Sequence, residues 1–316
     1  MRQAIAVVGP TGSGKTELGI ALAKELASEV ISADSMQFYQ GMEIGTGAPS
    51  PEELASVKHH FIGCLKPNEE INAGEFGEAA RQVVIDLNHR RKIAVIVGGS
   101  GLYIESLIDG LFSGPGRSPD VRNRLQEEGL RHGAVTLFER LQGIDPIYAK
   151  QIARNDLRRI VRALEVFEIS GRPMSELHAE QQAALEPLDV IQVMIEWPRA
   201  DLYARVNARV DAMMEAGFLD EVRRLIEQGY VDDILRLRAV GYRELAGHLR
   251  GEKSLDEAVA LTKQQTRRYA KRQLTWFHAD TRINCLMRNN SISGSFLLEQ
   301  TLNLLNANKT ESTLME

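Results

Sequence analysis

The sequence is poor in cysteine, with Cys64 and Cys285 the only two among 316 residues. Two thiols make no disulfide framework, and a pair of reduced cysteines fits a cytoplasmic protein. No run approaches the roughly 18 consecutive apolar residues of a membrane-spanning helix. The apolar stretch Ile5-Ala6-Val7-Val8, after Met1-Arg2-Gln3, is too short for a signal peptide and runs straight into glycines. Internal repeats and low-complexity tracts are also lacking. With 43% hydrophobic and 26% charged residues, the chain is neither disordered, collagen-like nor a disulfide scaffold. A chain of this length buries roughly 75% of its unfolded surface, so it needs neither disulfide nor metal to fold. Length alone suggests about two domains. The expectation is a soluble cytoplasmic protein.

Basic charge is in deficit: 38 Lys and Arg face 43 Asp and Glu, a net charge of −5. The total argues against a polyanionic partner, but the distribution reverses that argument. Between Ala258 and Ala279 there is no acidic residue, yet Lys263, Arg267, Arg268, Lys271 and Arg272 fall there on one predicted helix. Local patches, not net charge, make the footprint of a polyanion.

The first hundred residues alternate strand and helix patterns. Ile5–Val8, Val30–Ala33 and Ile93–Val97 read as buried strands. Helical periodicity runs over about 15–27, with Leu18, Ala21, Leu22 and Leu26 on one side, and again over about 74–88. Continuous apolar strands separated by helices indicate a parallel sheet covered on both faces. Near Gly110 the pattern changes. Ser113 to Pro119 is a loop by its glycine and proline content. Helices follow to about Gln182, then a strand at Val190–Trp197, then helices to about His278 with breaks at Gly217, Gly229 and Gly251. The expected organisation is a P-loop NTPase-like α/β core at 1–115 and 188–286, a helical insertion domain at 116–187, and a polar segment at 287–316 forming a loose helix or a tail.

Gly9-Pro10-Thr11-Gly12-Ser13-Gly14-Lys15-Thr16 matches G-x-x-x-x-G-K-[ST] in full, after a predicted strand and before a predicted helix. Glycines let the backbone turn its N–H groups toward phosphate oxygens, and the helix adds its positive end. Lys15 would neutralise a distal phosphate and the Thr16 hydroxyl would hold Mg²⁺. An ATPase or kinase usually also carries an Asp at the end of a second apolar strand. Here Ile93–Val97 ends in Gly98-Gly99-Ser100-Gly101 instead. Either Asp34, at the end of Val30–Ala33, serves the metal, or the diphosphate is a leaving group. Asp34-Ser35-Met36-Gln37 lies where open parallel sheets bind ligands. Asp34 there is a general base, a metal-assisting group or a helix N-cap.

Taken together, these motifs resemble the tRNA dimethylallyltransferases. The resemblance rests on Gly9–Thr16, on Asp34–Gln37 with Tyr39 and Gly45-Thr46, and on Gly98 to Tyr103. It continues through Asn155-Asp156 with Arg159, Arg162 to Val166, Ser170-Gly171, Val240-Gly241-Tyr242-Arg243 and Thr266 to Phe277. The blocks run in order over about residues 5–278. The resemblance implies transfer of a dimethylallyl group from dimethylallyl diphosphate to N6 of the adenosine 3′ to the anticodon (adenosine-37), in tRNAs reading codons that begin with U. The phosphate loop, Gly9 to Thr16, then holds the donor diphosphate with Mg²⁺ on Thr16. Asp34 is the base, and Arg209 reaches the diphosphate. Arg205, one turn earlier on the same helix, reads as a solvated residue.

The target adenine must leave its stack to reach a buried donor. By resemblance, Asp34, Ser35, Met36 and Gln37 grip it, with Ser100 and Arg122 beside the tRNA anticodon stem-loop. Arg158, Arg159, Ile160, Val161 and Arg162, and Arg238, Val240, Gly241, Tyr242 and Arg243, match its other contact stretches. Lys271 and Arg272 belong to a surface for the phosphate backbone. Tyr269, Trp276 and Phe277 read as core aromatics. Ser100 stands where threonine is usual, and Gly47-Ala48 where Ala-Lys is usual, so one basic side chain is missing. No Cys/His pairing follows residue 278, which favours the bacterial type without a zinc-binding extension. A monomer is the family default. The rival readings are a small-molecule P-loop kinase, a nucleotide-switched RNA-binding protein and an adenylate isopentenyltransferase acting on free AMP.

Overall fold

The computed structural model describes residues 3–110, 116, 118–184 and 187–313. Most of the loop expected at 113–119 lies outside the described residues. The chain divides into two compact units, Met1–Ile108 with Leu188–Glu316, and Asp109–Pro187.

Six parallel strands build the first unit: β1 (Ala4–Val8), β2 (Val30–Ser32), β3 (His59–His60), β4 (Ala94–Val97), β5 (Val190–Glu196) and β6 (Ile283–Met287). Their order is β3-β2-β4-β1-β5-β6. At the centre, Ala6 lies between Ile96 of β4 and Gln192 of β5. Alternation along each strand sends side chains to two separate cores. Ala4, Ala6, Val8, Ile31, Ile96 and Met194 pack with Phe76, Ala80, Val84 and Leu87 of the helix Ala73–His89. Ile5, Val7, Val30, Val95, Val193 and Ile195 pack with Leu18 and Leu22 of the helix Lys15–Glu25 and with Leu202 and Val206 of the helix Arg199–Glu215. Both faces are covered, so the strands read as unbroken apolar runs. This is the P-loop NTPase-like sheet, with the helical unit inserted between β4 and β5.

Two strands escape the sequence pattern. β3 is two residues long, and β6 is an edge strand with only Leu286 buried, so neither shows an apolar run. The segment from Met287, expected as a loose helix or tail, is corrected here. It completes β6 and forms the helix Gly294–Thr313, which packs against the helix Lys15–Glu25. Leu297, Thr301 and Leu305 are buried at four-residue spacing. The polar character of its other positions masks that stripe.

The second unit is wholly helical among its described residues. Leu125, Leu137, Leu141, Ile160, Val161 and Leu164 form its own core, drawn from the helices Pro119–His132, Ala134–Ile144 and Leu157–Ser170. Inside it the Glu165 carboxylate, 0% exposed, accepts hydrogen bonds from Ser118 N–H (3.0 Å), Arg122 Nη2 (2.6 Å) and Arg162 Nη1 (2.9 Å). These partners offset the cost of its burial and hold its pKa below the usual carboxylate value. Among the described residues no helix is long and apolar enough to cross a membrane.

Burial of the C-terminal helix makes a definite prediction. Leu297→Ala is expected to cost about 2–5 kcal/mol, measured as a lower midpoint in denaturant unfolding. An unchanged midpoint would mean that the helix adds nothing to the core.

Candidate functional site

The loop between β1 and the helix Lys15–Glu25 turns through Gly9, Gly12 and Gly14 at φ values of 127°, 81° and 96°. These conformations favour glycine. No side chain caps the helix at Gly14, so its first N–H groups are left for an anion. Lys15 is half-buried, and its Nζ donates to Pro10 O at 2.7 Å. Burial lowers its pKa to about 8, against the pull of the Asp34 carboxylate.

Three side chains from distant parts of the sequence brace this loop. Gln273 accepts from Thr11 N–H at 2.8 Å and donates through Nε2 to Gly99 O at 2.9 Å. Trp197 Nε1 donates to Ser13 O at 2.9 Å. Arg205 Nε donates to Gly12 O at 3.0 Å, and its guanidinium lies 4.2 Å from the Trp197 ring centroid. The reading of Arg205 as a solvated residue is therefore corrected: stacking and a loop carbonyl hold it. Arg288 approaches the same ring at 5.5 Å and pairs with Glu17 at 3.2 Å. Sequence reasoning missed Trp197, Gln273 and Arg288 as parts of the site. The one available signal was Gln273, a neutral residue next to Arg272 in the basic helix.

Beyond β2 the chain turns at Asp34, whose carboxylate accepts from Met36 N–H at 3.1 Å. Burial raises its pKa, opposed by that hydrogen bond and by Lys15 and Arg209. Ser35 N–H donates to Ser100 Oγ at 3.0 Å, so the serine found in place of threonine still joins the two loops. Gln37 accepts from Ser32 Oγ at 3.0 Å and donates to Gly47 O at 3.2 Å. Arg209, half-buried, donates to the same carbonyl at 3.1 Å, and its buried Nε has no protein partner. Burial lowers its pKa. Glu221 holds the segment ahead of Gly47, accepting from Ile44 N–H (2.7 Å), Gly45 N–H (2.9 Å) and the Tyr242 hydroxyl (2.7 Å).

Two cavities open here, of about 230 and 260 Å³. The first is lined by Gly12, Gly14, Lys15, Thr16, Ser32 and Gln37 among others. The second has a mainly apolar wall of Met36, Val210, Met213, Phe218 and Leu237, with Arg238, Tyr269 and Arg272. Thr11, Asp34, Thr46 and Arg209 line both. Asp34 and Arg209 therefore stand where the cavity beside the glycine loop meets a second, more apolar one.

The remaining expected residues divide. Ser35, Met36, Arg238, Val240 and Arg272 line the second cavity. Arg158, Arg159, Arg243 and Lys271 are exposed. Ile160, Val161 and Tyr242 are buried at 0, 2 and 0% exposure, and the backbone of Gly241 is enclosed beside Phe218, so none of these four presents its side chain at the surface. Tyr242 instead fixes Glu221. In the basic helix, Lys263 pairs with Asp211 at 2.6 Å and Arg267 donates to Asn207 at 2.6 Å, leaving Arg268, Lys271 and Arg272 exposed. The expected five-charge surface is thus a three-charge one. Phe277 is a core aromatic, but Tyr269 lines the second cavity and Trp276 is 41% exposed.

Comparison with known proteins bears out the resemblance in the sequence. The profile of the family described as IPP transferase matches residues 37–280. The chain is 48% identical over 276 residues to a tRNA dimethylallyltransferase of Syntrophobacter fumaroxidans, covering 87% of this chain and 81% of that one. It is also similar to the solved tRNA isopentenylpyrophosphate transferase of Bacillus halodurans, with TM-score 0.73 and 33% identity over 100% of this chain and 99% of that one. The corresponding transferase of Staphylococcus epidermidis gives a TM-score of 0.69 and 36% identity, over 96% and 99% of the two chains.

Because Lys15 sits near pH 8 when no anion is bound, pyrophosphate binding is expected to depend on pH with a definite sign. Titration calorimetry should give affinity insensitive to this group at lower pH, then weakening by up to about tenfold per pH unit above its pKa as Lys15 loses its charge. The dependence should vanish in Lys15→Met. A wild-type profile identical to that of Lys15→Met would show that this amine does not meet the anion.

Proposed function

The chain belongs to the IPP transferase family, and from that premise we propose that it moves a dimethylallyl group from dimethylallyl diphosphate to N6 of the adenosine 3′ to the anticodon in tRNAs reading codons that begin with U. Prenylation of tRNA is the activity named for its relatives. What supports the reading in this chain is the junction of two cavities at Asp34 and Arg209. The diphosphate occupies the first, against the N–H groups of the phosphate loop, Lys15 and Arg209. The flipped adenine enters the second, between its apolar wall and Tyr269. The allylic carbon then lies at the junction, between nucleophile and leaving group.

The adenine N6 attacks that carbon as the carbon–oxygen bond to diphosphate breaks. Charge gathers on the departing oxygen, where Lys15 and Arg209 are already placed. The proton lost from N6 passes to Asp34. Burial lifts the pKa of this carboxylate, which makes it a better acceptor than an exposed one. A hard divalent cation fits the first cavity, because Thr16 offers a hydroxyl oxygen there and such ions keep much of their water. Mg²⁺ held there by Thr16 would neutralise diphosphate charge.

The kinase reading has a structural objection. A Cβ at Gly98 would lie 2.2 Å from Ala33 O, so the residue directly after β4 has no room for a metal-binding Asp. For the tRNA we assign the exposed Arg158 and Arg159 of the second unit, and Arg122 and Arg162 held by Glu165, to backbone contact. Arg238, Arg243, Lys271 and Arg272 serve in the first unit. The enzyme is read as a cytoplasmic monomer.

The test is transfer of labelled dimethylallyl diphosphate to unmodified tRNA carrying adenines beside the anticodon, with AMP as competing acceptor. Asp34→Asn is expected to lower kcat by about 10²–10⁴-fold while the KM for the donor stays close to wild type. Label in AMP alone would assign the protein to free-nucleotide prenylation. ATP consumption without label transfer would restore the kinase.

A further inference from the structure

Outside the linings of both cavities, at the β5–β6 edge of the sheet, three metal-ligating side chains converge. Glu196 ends β5, His278 follows the helix Leu255–Phe277 directly, and Cys285 lies on the edge strand β6. Their ligand atoms all lie within 4.8 Å of one another. His278 Nε2 is 3.3 Å from a Glu196 oxygen, with the two side chains 46% and 27% exposed. Cys285 is a free, exposed thiol. Its pKa is raised by partial burial and by the Glu196 carboxylate beside it. None of the three lines a cavity used in the proposed transfer.

We propose that Glu196, His278 and Cys285 form a binding site for a borderline-soft divalent cation of the zinc class. One sulfur, one imidazole nitrogen and one carboxylate oxygen are the ligand types such ions take. Mg²⁺ and Ca²⁺ prefer all-oxygen sets and compete poorly here. Three protein ligands leave the fourth tetrahedral position to water. Cys285 binds as the thiolate and its proton passes to solvent. His278 binds neutral through Nε2, and Glu196 gives one oxygen. Two of the three groups are exposed, which leaves their side chains room to turn toward the ion. The ion would tie the edge strand β6 to β5 and to the end of the long helix. This inference stands apart from the prenyl-transfer reading.

Cobalt(II) is the probe, because a cobalt–thiolate bond gives a charge-transfer absorption that oxygen and nitrogen ligands do not. Titration of the full chain should produce that band saturably, and zinc should abolish it by displacement. The band should be lost in Cys285→Ser and kept in Cys64→Ser. In His278→Gln the affinity should fall by about tenfold or more. Failure of the band to appear, its survival in Cys285→Ser, or an undiminished affinity in His278→Gln would each overturn the proposal.

Discussion

The amide of Gln273 holds together the two pieces of backbone on which the site depends. Its oxygen takes the N–H of Thr11 and its nitrogen gives to the carbonyl of Gly99. A phosphate loop has few internal hydrogen bonds of its own, since its N–H groups must stay turned toward the ligand. Its shape has to be imposed from outside. Here Gln273, Trp197 and Arg205 supply that constraint, each through one loop residue. The same amide also fixes the loop after β4, whose Ser100 hydroxyl in turn accepts from the backbone of Ser35. The glycine loop and the turn at Asp34 are thus parts of one hydrogen-bonded assembly.

Electrostatics follows from that assembly. Lys15 and Arg209 are both half-buried, and desolvation destabilises both as cations, while it destabilises the nearby Asp34 as an anion. Glu53 also lines the first cavity and acts on Arg209, so Asp34 is not the only carboxylate facing these two cations. The Arg209 Nε is left without a protein partner. Desolvation weakens each charge in the free protein and strengthens its effect on a bound one, because the same low dielectric acts on both.

Much of this could be read from the residues alone. The glycine spacing of 9–16 located the anion subsite, and the apolar runs located β1, β2, β4 and β5. Asp34 and Arg209 stand together at the cavity junction. What could not be read came from contacts without local pattern. Arg205 and Arg209 share a helix and look alike in sequence, yet Arg205 stacks on Trp197 and braces the loop, whereas Arg209 enters the cavities. Tyr242 and Ile160 lie in basic stretches that point to a surface, but their side chains face inward. β6 and the last helix were hidden because an edge strand and a one-stripe helix need little apolar sequence.

The partners of the phosphate loop are far along the chain: Gln273 lies 262 positions from Thr11, and Glu17 is 271 positions from Arg288. During synthesis the glycine motif leaves the ribosome before its braces: Trp197 and Arg205 follow well after it, and Gln273 and Arg288 later still. The helical unit between β4 and β5 has a core drawn from neighbouring stretches of sequence and can consolidate while the loop is still unsupported. Until translation has passed Arg288, the nascent chain carries its most recognisable motif without the full set of contacts that brace it in the folded protein.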